Sequence, residues 1–299
     1  MREVNTHPDL CFQNHFVFSL VLRFLLFSYN LDLKMTTIMT PMVLFLLFLS
    51  LTAIPPSAAQ EKLGDDDESV DISAIISEAN KNITAGIEDG DVAPPRKRNA
   101  SPCTSRGCKW RTSRGYVRIP YVISSSYSSR ERSTIIGAMN IFNRYTCVRF
   151  FQRRWWHFFY RDYIYFTSRN GCWSYIGRQG GRQYISLQRP GCVSSGVAHH
   201  EILHALGFHH EQSRSDRDRF VTINYANIQP GRQSNFRKVQ TNNLGTSYNY
   251  RSVMHYRKTS FSRNGLPTVV AKGNPNQILG SSFITYSDII RVRRLYGCR

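Results

Sequence analysis

Apolar residues recur with two different periods along the chain after residue 110. Ile135, Ile136, Met139 and Phe142 return about every 3.6 positions, which predicts an amphipathic helix over Ser129–Tyr145. Alternation with a period of two predicts strands, and short continuous apolar runs predict buried elements. The further elements predicted in this way are strands over 116–122, 163–166 and 184–187 and helices over 197–206 and 287–295. The pattern therefore predicts a domain that contains both helices and strands.

An apolar run of signal-peptide length lies closer to the start of the chain. Residues 42–51 read MVLFLLFLSL, with Lys34 before them and small residues at 57–59 after them. This order is typical of a secretory leader. A membrane-spanning helix needs about 20 apolar residues, more than this proline-bounded run offers. We therefore predict a signal peptide over residues 35–59, a secreted extracellular protein, storage in secretory granules before release, and no stable membrane insertion.

Residues 1–34 precede this predicted leader. They contain a second apolar stretch, 16–27, which Arg23 interrupts, and they end immediately before Met35, itself able to act as an initiator. We interpret them as an extension of the gene model or of the leader. The alternative is that the two apolar runs act together as an uncleaved anchor.

Residues 60–98 differ in composition from the rest of the chain. They carry ten acidic and five basic side chains, with no aromatic residue and no cysteine. Because such a segment has little apolar surface to bury, we expect it to form little core. It ends in the basic tripeptide Arg96, Lys97, Arg98, and Asn82 begins an N-I-T glycosylation pattern. We interpret the segment as an acidic propeptide that an activating protease cleaves after Arg98; the alternative is a solvated charge run.

Positive charge is concentrated after residue 98. The chain has 39 Lys and Arg against 20 Asp and Glu, and 31 of these basic but only 7 of these acidic residues follow residue 98. Hydrophobic residues at 41% and charged residues at 20% are ordinary globular usage, which excludes a disordered or fibrous chain. Basic and aromatic residues interleave at 149–161, so a cationic module that binds nucleic acid or an acidic polysaccharide is a second hypothesis. Secretion and the lack of a recognised motif argue against nucleic acid, and attraction to an acidic matrix is expected as an accessory property.

Six cysteines follow residue 98, and an even number behind a signal peptide predicts three disulfides. Cys103 and Cys108 are expected to pair locally, and sequence alone leaves the other pairings open. The remaining cysteines are Cys147, Cys172, Cys192 and Cys298, with Cys11 left over in the leader extension. Because no repeat or second cysteine-rich module interrupts residues 99–299, we predict one catalytic domain there.

A metal-binding motif lies in the predicted helix over 197–206. His200, Glu201, His204, Gly207 and His210 have the spacing H-E-x-x-H-x-x-G-x-x-H. Histidines four residues apart lie on one helix face, so both can reach one ion. Gly207 can adopt the conformation that ends the helix and turns the chain, which brings His210 in as a third ligand. Three histidines leave Zn²⁺ an open position, as in catalytic sites, and we predict one Zn²⁺ per catalytic domain.

Residues next to these ligands have separate predicted roles. The Glu201 carboxylate can accept a proton from the attacking water and pass it to the leaving amine. His199 and His209 project to other sides of the backbone, so we expect them to be structural. Downstream, residues 252–256 read SVMHY and supply a Met-turn, with Met254 beneath the metal and Tyr256 near it.

The sequences HEILHALGFHHEQSRSDRD and SVMHY together resemble the astacin family of metzincin endopeptidases. Within that family, the short loop from Cys103 to Cys108 and the start Asn99-Ala100 are similar to those of the fish hatching enzymes, the choriolysins. The resemblance extends from about Ile87 to the C-terminus. It implies a disulfide-stabilised α+β fold of the metzincin type, in which two subdomains flank an active-site cleft.

The resemblance also implies residue roles. Glu201 is the general base and acid, Tyr256 ligates zinc or moves to the oxyanion of the transition state, and Glu211 meets the new amino terminus of the mature chain. The implied zinc ligands are His200, His204 and His210. The implied disulfides are Cys147 with Cys298 and Cys172 with Cys192.

These features predict a secreted, monomeric zinc endopeptidase that hydrolyses extracellular proteins. The expected substrates are egg-envelope glycoproteins at hatching. One alternative is a cationic matrix-binding protein, and another is a secreted astacin protease with a non-egg substrate. Two features depart from the family pattern. One is residues 1–34, and the other is the loop with Arg153, Arg154, Trp155 and Trp156, which is more cationic than in hatching enzymes and bears on substrate preference.

Two further expectations concern the cleft. Family propeptides carry a Gly-Asp element whose aspartate occupies the open zinc position, and residues 87–91, IEDGD, match it, so Asp91 is the predicted zymogen switch. Substrate is expected to add as a strand along 184–187, where Gly180 and Gly181 permit close approach.

Overall fold

A mixed sheet with helices packed on it forms the half of the molecule that precedes Gly207. The computed structural model describes residues 70–83, 86–95 and 108–299. The strands in chain order are β1 Val92–Ala93, β2 Thr112–Ser113, β3 Tyr116–Ile123, β4 Val148–Gln152, β5 Tyr163–Thr167, β6 Cys172–Tyr175 and β7 Arg182–Leu187. They are arranged in the order β1-β6-β7-β5-β3-β2, with β4 paired to β3. The pairs β1–β6, β3–β4, β3–β5 and β5–β7 are parallel, whereas β2–β3 and β6–β7 are antiparallel.

Four α-helices occur in the described residues: α1 Ile72–Asn80, α2 Ser129–Tyr145, α3 Ser195–Leu206 and α4 Tyr286–Tyr296. Helix α2 begins at a capping box between Ser128 and Glu131, which satisfies two amide groups at the helix start. Its buried residues include three of the four that set its predicted period. The predicted bounds of α2 are therefore confirmed, and those of α3 and α4 differ by no more than two residues.

Helix α3 is buried along nearly its whole length. Ser194 caps its start, and it ends at Gly207, whose φ of 112° is in the left-handed region that a glycine adopts without steric cost. All its residues after Ser195 are buried, including His200, Glu201 and His204. The predicted role of Gly207 as the end of the helix is confirmed.

The half of the chain after Gly207 has little regular structure before α4. It contains four short 3₁₀ turns, Glu211–Ser213, Arg217–Arg219, Tyr225–Asn227 and Gln233–Phe236, and a small sheet of β8 Val221–Ile223 and β9 Val269–Ala271. This half has its own apolar cluster around Val221, Phe236, Tyr256 and Phe261. The larger cluster unites the sheet, α2, α3 and Met254. The two clusters correspond to the two predicted subdomains of an α+β fold.

Two disulfides join distant parts of the chain. They are Cys147–Cys298 and Cys172–Cys192, the pairs that the resemblance implied. The first ties the end of α2 to the C-terminus, and the second ties β6 to the segment before α3. Cys108 is also disulfide-bonded, and its expected partner Cys103 lies outside the described residues.

The expectation that residues 60–98 form little core is wrong. Asp71 caps helix α1, and Ile72 and Ile76 of that helix are buried in the larger apolar cluster. A few residues later β1 adds to the sheet beside β6. Average composition does not predict burial in this segment. Ile72 and Ile76 lie on one face of α1, and that shared apolar face is buried although the segment as a whole is acidic.

The expectation that substrate pairs with residues 184–187 is also wrong. Strand β7 lies inside the sheet, with β5 on one side and β6 on the other, so its backbone groups are already paired. The strand beside the cleft is β6, and here β1 covers it.

The predicted extension 1–34 and signal peptide 35–59 lie outside the described residues, as does the cleavage site at Arg98. No helix among the described residues has the length and apolar character needed to cross a membrane.

Candidate functional site

Three imidazoles converge at the end of helix α3. His200 and His204 project from one face of the helix, and His210 arrives on the chain that turns at Gly207. The Nε2 atom of His200 lies 3.1 Å from that of His204 and 3.3 Å from that of His210. All three side chains are buried.

Hydrogen bonds fix the tautomers of two of these histidines, whose lone pairs are directed at a common point. His200 Nδ1 donates to the Val253 carbonyl at 2.8 Å, and His204 Nδ1 donates to the Phe208 carbonyl at 2.7 Å, because a carbonyl oxygen only accepts. Each Nε2 is then unprotonated. Burial lowers the pKa of His204 to about 4, although the negative charge of Asp91 acts in the opposite direction, and the ring is therefore neutral. Neutral imidazoles held by carbonyls in this way are the usual ligands of zinc.

The spacing of these atoms fits a zinc ion. Ligand atoms about 2.0 to 2.1 Å from a tetrahedral zinc ion lie about 3.3 Å from one another. The separations between the histidine nitrogens, 3.1 and 3.3 Å, agree with this value. Unprotonated nitrogens this close would repel one another without a cation between them. The residues present therefore fit Zn²⁺, and His200, His204 and His210 are the residues that would hold it.

The carboxylate of Asp91 completes this group of atoms. Its oxygens lie 3.1 Å from His200 Nε2, 3.3 Å from His204 Nε2 and 3.2 Å from His210 Nε2. The four residues form one buried cluster able to hold a metal ion. Although burial raises it, the pKa of Asp91 within this cluster is well below its usual value, so the group is a carboxylate. The sequence-predicted zymogen aspartate thus lies at the position of a fourth ligand.

A tight turn presents Asp91 to the histidines. Glu88 and Val92 exchange two backbone hydrogen bonds, of 2.7 and 2.8 Å, which close a hairpin around residues 89–91. Gly90 has a φ of +95°, and a Cβ atom there would lie 2.7 Å from the Tyr256 hydroxyl oxygen. Only glycine fits this position without displacing the tyrosine.

A buried asparagine that the sequence analysis did not identify holds this turn against the sheet. The Asn80 amide donates to the Gly90 carbonyl at 2.8 Å and to the Cys172 carbonyl at 2.7 Å, and its oxygen accepts from the Cys172 amide at 2.9 Å. In addition, the Ser174 amide donates to the Asp91 carbonyl at 3.1 Å. These bonds occupy the cleft edge of β6. No local sequence signal marks Asn80, because its partners are 10 and 92 residues away.

Glu201 lies one residue after the first histidine and is fully buried. Neither of its carboxylate oxygens has a hydrogen-bond partner among the described residues. Burial, assisted by the negative charge of Asp91, raises the pKa of Glu201 well above its usual value. A buried carboxyl with no partner is costly for stability, which points to a chemical role.

Two residues of the SVMHY segment border the histidines. The ring of Tyr256 lies 4.6 Å from that of His210, and its hydroxyl donates to the Asp89 carbonyl at 2.6 Å. Met254 is buried in the larger apolar cluster, and its carbonyl accepts from the Glu211 amide at 2.8 Å. Both residues are therefore close to the site, but the tyrosine is bonded to the acidic segment.

Glu211 is buried in a network of positive charge. Its carboxylate forms a two-pronged ion pair with Arg291 and a longer contact of 3.2 Å with Arg214. It also accepts a hydrogen bond from the backbone amide of Asn249 at 2.7 Å. The predicted partner, an amino terminus at Asn99, lies outside the described residues, and no local sequence signal marks Arg291.

The neighbouring histidines do not join the cluster. His199 is buried, its nitrogens have no hydrogen-bond partner among the described residues, and its ring packs edge-on against Phe142. Burial lowers the pKa of both His199 and His209 to about 4.

Comparison with known proteins agrees with this geometry. The profile of the Astacin peptidase family matches residues 105–297. The chain is 46% identical over 238 residues to high choriolytic enzyme 1 of Oryzias latipes, covering 79% of this chain and 87% of that protein. It is 40% identical over 267 residues to the low choriolytic enzyme of the same fish, covering 86% of this chain and 97% of that protein. The solved structure of high choriolytic enzyme 1, described as a hatching enzyme zinc-protease from medaka, superposes with a TM-score of 0.63 at 47% identity over 67% of this chain and all of that one.

Proposed function

This chain belongs to the astacin family of zinc metalloendopeptidases, and from that premise we propose that it is a secreted hatching protease that cleaves egg-envelope proteins. The names of its choriolytic relatives, and the hatching role stated for one of them, support this substrate. We place the signal peptide at 35–59, the propeptide at 60–98 and the catalytic domain at 99–299, acting as a monomer.

One observation carries the proposal. The three histidines and Asp91 meet in one buried cluster, with an unpartnered Glu201 carboxyl nearby. This cluster supports a catalytic zinc site in which a segment of the same chain fills the position where substrate chemistry would occur. The arrangement supports a latent protease precursor.

Each residue has a role in the proposed hydrolysis. Zinc bound by His200, His204 and His210 would supply a Lewis acid that polarises the scissile carbonyl and lowers the pKa of the attacking water. Glu201 accepts the proton of that water and delivers it to the leaving amine. Tyr256, once released from Asp89, donates its hydroxyl hydrogen to the developing oxyanion.

Activation requires removal of the acidic segment. Cleavage after Arg98 frees Asp91, uncovers β6 and creates an amino terminus at Asn99. We propose that this amino group approaches Glu211 and joins the network with Arg291, which couples cleavage to completion of the site. The β6 edge then pairs with the backbone of an extended substrate.

The test uses the full precursor, with an engineered protease site in place of residues 96–98. After cleavage at that site, the enzyme should digest casein and isolated egg envelope, a chelator should abolish both activities, and added Zn²⁺ should restore them. Sequencing of the released peptides identifies the cleaved bonds. Digestion of casein but not of envelope would support a secreted astacin protease with another substrate, and no chelator-sensitive activity would overturn the proposal.

An accessory matrix-binding role is supported by the loop after β4. Trp155, Phe158 and Phe159 are 83%, 74% and 63% exposed, which is unusual for large apolar side chains of a monomer. Arg153, Arg154 and Arg161 flank them in the sequence, and Arg154 lies over the Trp156 ring. Exposed aromatic and cationic groups together suit an anionic polysaccharide, so we propose that this loop retains the enzyme on its matrix.

A further inference from the structure

A cavity of about 600 Å³ lies beside strands β2 and β3, away from the metal cluster. Its walls come from the β2–β3 hairpin, from the chain just before β5 and from the connection between β6 and β7. Among the described residues that line it, none belongs to the metal cluster, to β1 or to β6. All of them follow residue 98, so the cavity belongs to the proposed catalytic domain.

Five arginines but only one acidic residue line this cavity. The acidic residue, Asp162, already has partners: it pairs with Arg178 at 2.8 Å and accepts from the Gly181 amide at 2.7 Å. The other four arginines are exposed, and their side chains make no hydrogen bond or ion pair with any described residue; they are Arg111, Arg114, Arg118 and Arg161. Like charges gathered in one place repel one another, and a bound anion would remove that repulsion.

The backbone of Arg114 is in a conformation that an arginine adopts only at a cost. Arg114 and Gly115 form a two-residue turn between β2 and β3, in which Ser113 pairs with Tyr116. Their φ values are +52° and +79°, as in the type I′ hairpin turn, which favours Asn-Gly. The left-handed region is sterically unfavourable for an arginine. Strain of this kind at an exposed side chain that contacts nothing points to a function other than stability.

Positive charge continues from the cavity across the outer face of the sheet. In strands β3, β4, β5 and β7, one set of alternate residues is buried in the larger apolar cluster, and the other set faces away from it. Arg118 of β3 and Arg149 of β4 are directly paired in register. The outward set consists largely of arginine and tyrosine: Tyr116, Arg118, Arg149, Phe151, Tyr163, Tyr165, Arg182 and Tyr184.

This face favours a polysaccharide over a nucleic acid or an acidic peptide. Arg149 lies over the Tyr116 ring at 4.9 Å, and Arg169 lies over the Tyr184 ring at 4.0 Å. Single-stranded nucleic acids stack their bases on open ring faces, which rings covered by guanidinium groups do not offer. A peptide would need free backbone groups, but β3 is already paired with β2, β4 and β5. Sulfate groups need only the guanidinium donors, which suit the binding of oxyanions.

We infer that this cavity binds the sulfate groups of a sulfated polysaccharide through four arginines, Arg111, Arg114, Arg118 and Arg161. The polysaccharide then continues over the outer face of the sheet. Phe159 also lines the cavity, so the site adjoins the exposed loop after β4. The inference rests on the proposed secretion and matrix-binding role, and it adds the ligand class and a charged site that the aromatic loop alone does not supply.

The test measures binding of a fluorescently labelled heparin oligosaccharide to the full precursor and to the activated enzyme by anisotropy. Replacing Arg114 and Arg118 together by glutamine should weaken binding about tenfold in both forms. The matched control replaces Arg130 and Arg263, two exposed arginines outside the cavity, and should have little effect. Single-stranded DNA and polyaspartate of the same net charge should bind about tenfold more weakly than heparin. Equal losses in the two double variants, or equal binding of the three polymers, would overturn the site.

A second variant separates binding from stability. Arg114→Asn places a residue that tolerates a positive φ in the turn, so Tm should not fall, whereas heparin binding should weaken severalfold. Heparin binding equal to that of the unmodified protein would remove Arg114 from the site.

Activity is measured in the same preparations. Cleavage of a short soluble peptide by the activated enzyme should be the same in all these variants. If the precursor binds heparin through these arginines but activation yields no chelator-sensitive cleavage, the site stands and the proposed function falls. If cleavage occurs as proposed but the Arg114 and Arg118 double variant binds heparin as well as its control does, the site alone falls.

Discussion

The Tyr256 hydroxyl donates a 2.6 Å hydrogen bond to the carbonyl oxygen of Asp89, two residues before the aspartate that faces the three histidines. One short turn of the acidic segment therefore engages both the metal position and the tyrosine proposed to stabilise the oxyanion. Latency in this arrangement does not depend on the carboxylate alone.

The first prediction concerns this tyrosine. In the activated enzyme, Tyr256→Phe should lower kcat about 10²-fold with little change in KM, because a donor to the oxyanion acts only in the transition state. Steady-state kinetics on one peptide substrate measures both constants. A rise in KM with kcat unchanged would show instead that the hydroxyl only helps to hold substrate.

The second prediction concerns the buried glutamate. Glu201→Gln should retain the fold and stoichiometric zinc but lose most turnover, because an amide cannot accept the proton of the attacking water. Zinc content by elemental analysis and kcat by peptide hydrolysis are measured on the same preparation. Turnover near that of the unmodified enzyme, with zinc present, would remove Glu201 from the mechanism.

The third prediction concerns the carboxylate switch. Asp91→Ala should make the uncleaved precursor partly active, because the fourth ligand position is then open. Asp89→Ala should leave the precursor latent. Asp89→Asn is a better matched control, since residue 89 has a φ of +50°, which asparagine tolerates better than alanine. If the Asp91→Ala precursor is as inactive as its controls, the segment inhibits by steric exclusion of substrate and not through the carboxylate.

The fourth prediction separates steric fit from backbone strain. Gly90 and Gly86 have similar φ values of +95° and +85°, but a Cβ atom would collide with the Tyr256 hydroxyl only at Gly90 and would meet nothing within 4 Å at Gly86. Gly90→Ala should therefore raise basal precursor activity and protease sensitivity of the segment, whereas Gly86→Ala should cost only about 1 kcal/mol of backbone strain. After activation both variants should have equal activity, because both positions have been removed. Equal basal activity of the two precursor variants would contradict the steric role of Gly90.

The fifth prediction concerns the exposed aromatic loop. Replacing Trp155, Phe158 and Phe159 by alanine should lower the salt concentration that elutes the activated enzyme from an immobilised sulfated polysaccharide. Cleavage of a short soluble peptide should not change. Tyr286→Ala is the matched control, because that residue is 79% exposed but lies on helix α4. If the loop variant and the control elute together, the matrix role is not carried by this loop.

The features that follow from the sequence alone are those that depend on neighbours along the chain. The spacing of His200, His204 and His210 requires only helical geometry and a glycine that ends the helix, and both follow from local chemistry. The bounds of helix α2 follow from its period and cap. The Gly-Asp element ending at Asp91 was recognised through its resemblance to family propeptides, and the turn that presents it closes over five residues.

Tertiary structure decided which strand borders the cleft and what fills it. Nothing local distinguishes β7 from an edge strand, because its two neighbours come from different parts of the chain. In the same way, Asn80 and Arg291 are ordinary polar residues until the fold brings the first against Cys172 and the second against Glu211. Burial then makes these contacts matter, because a polar group removed from water must find its partner within the protein, and that partner can be separated from it by any length of sequence.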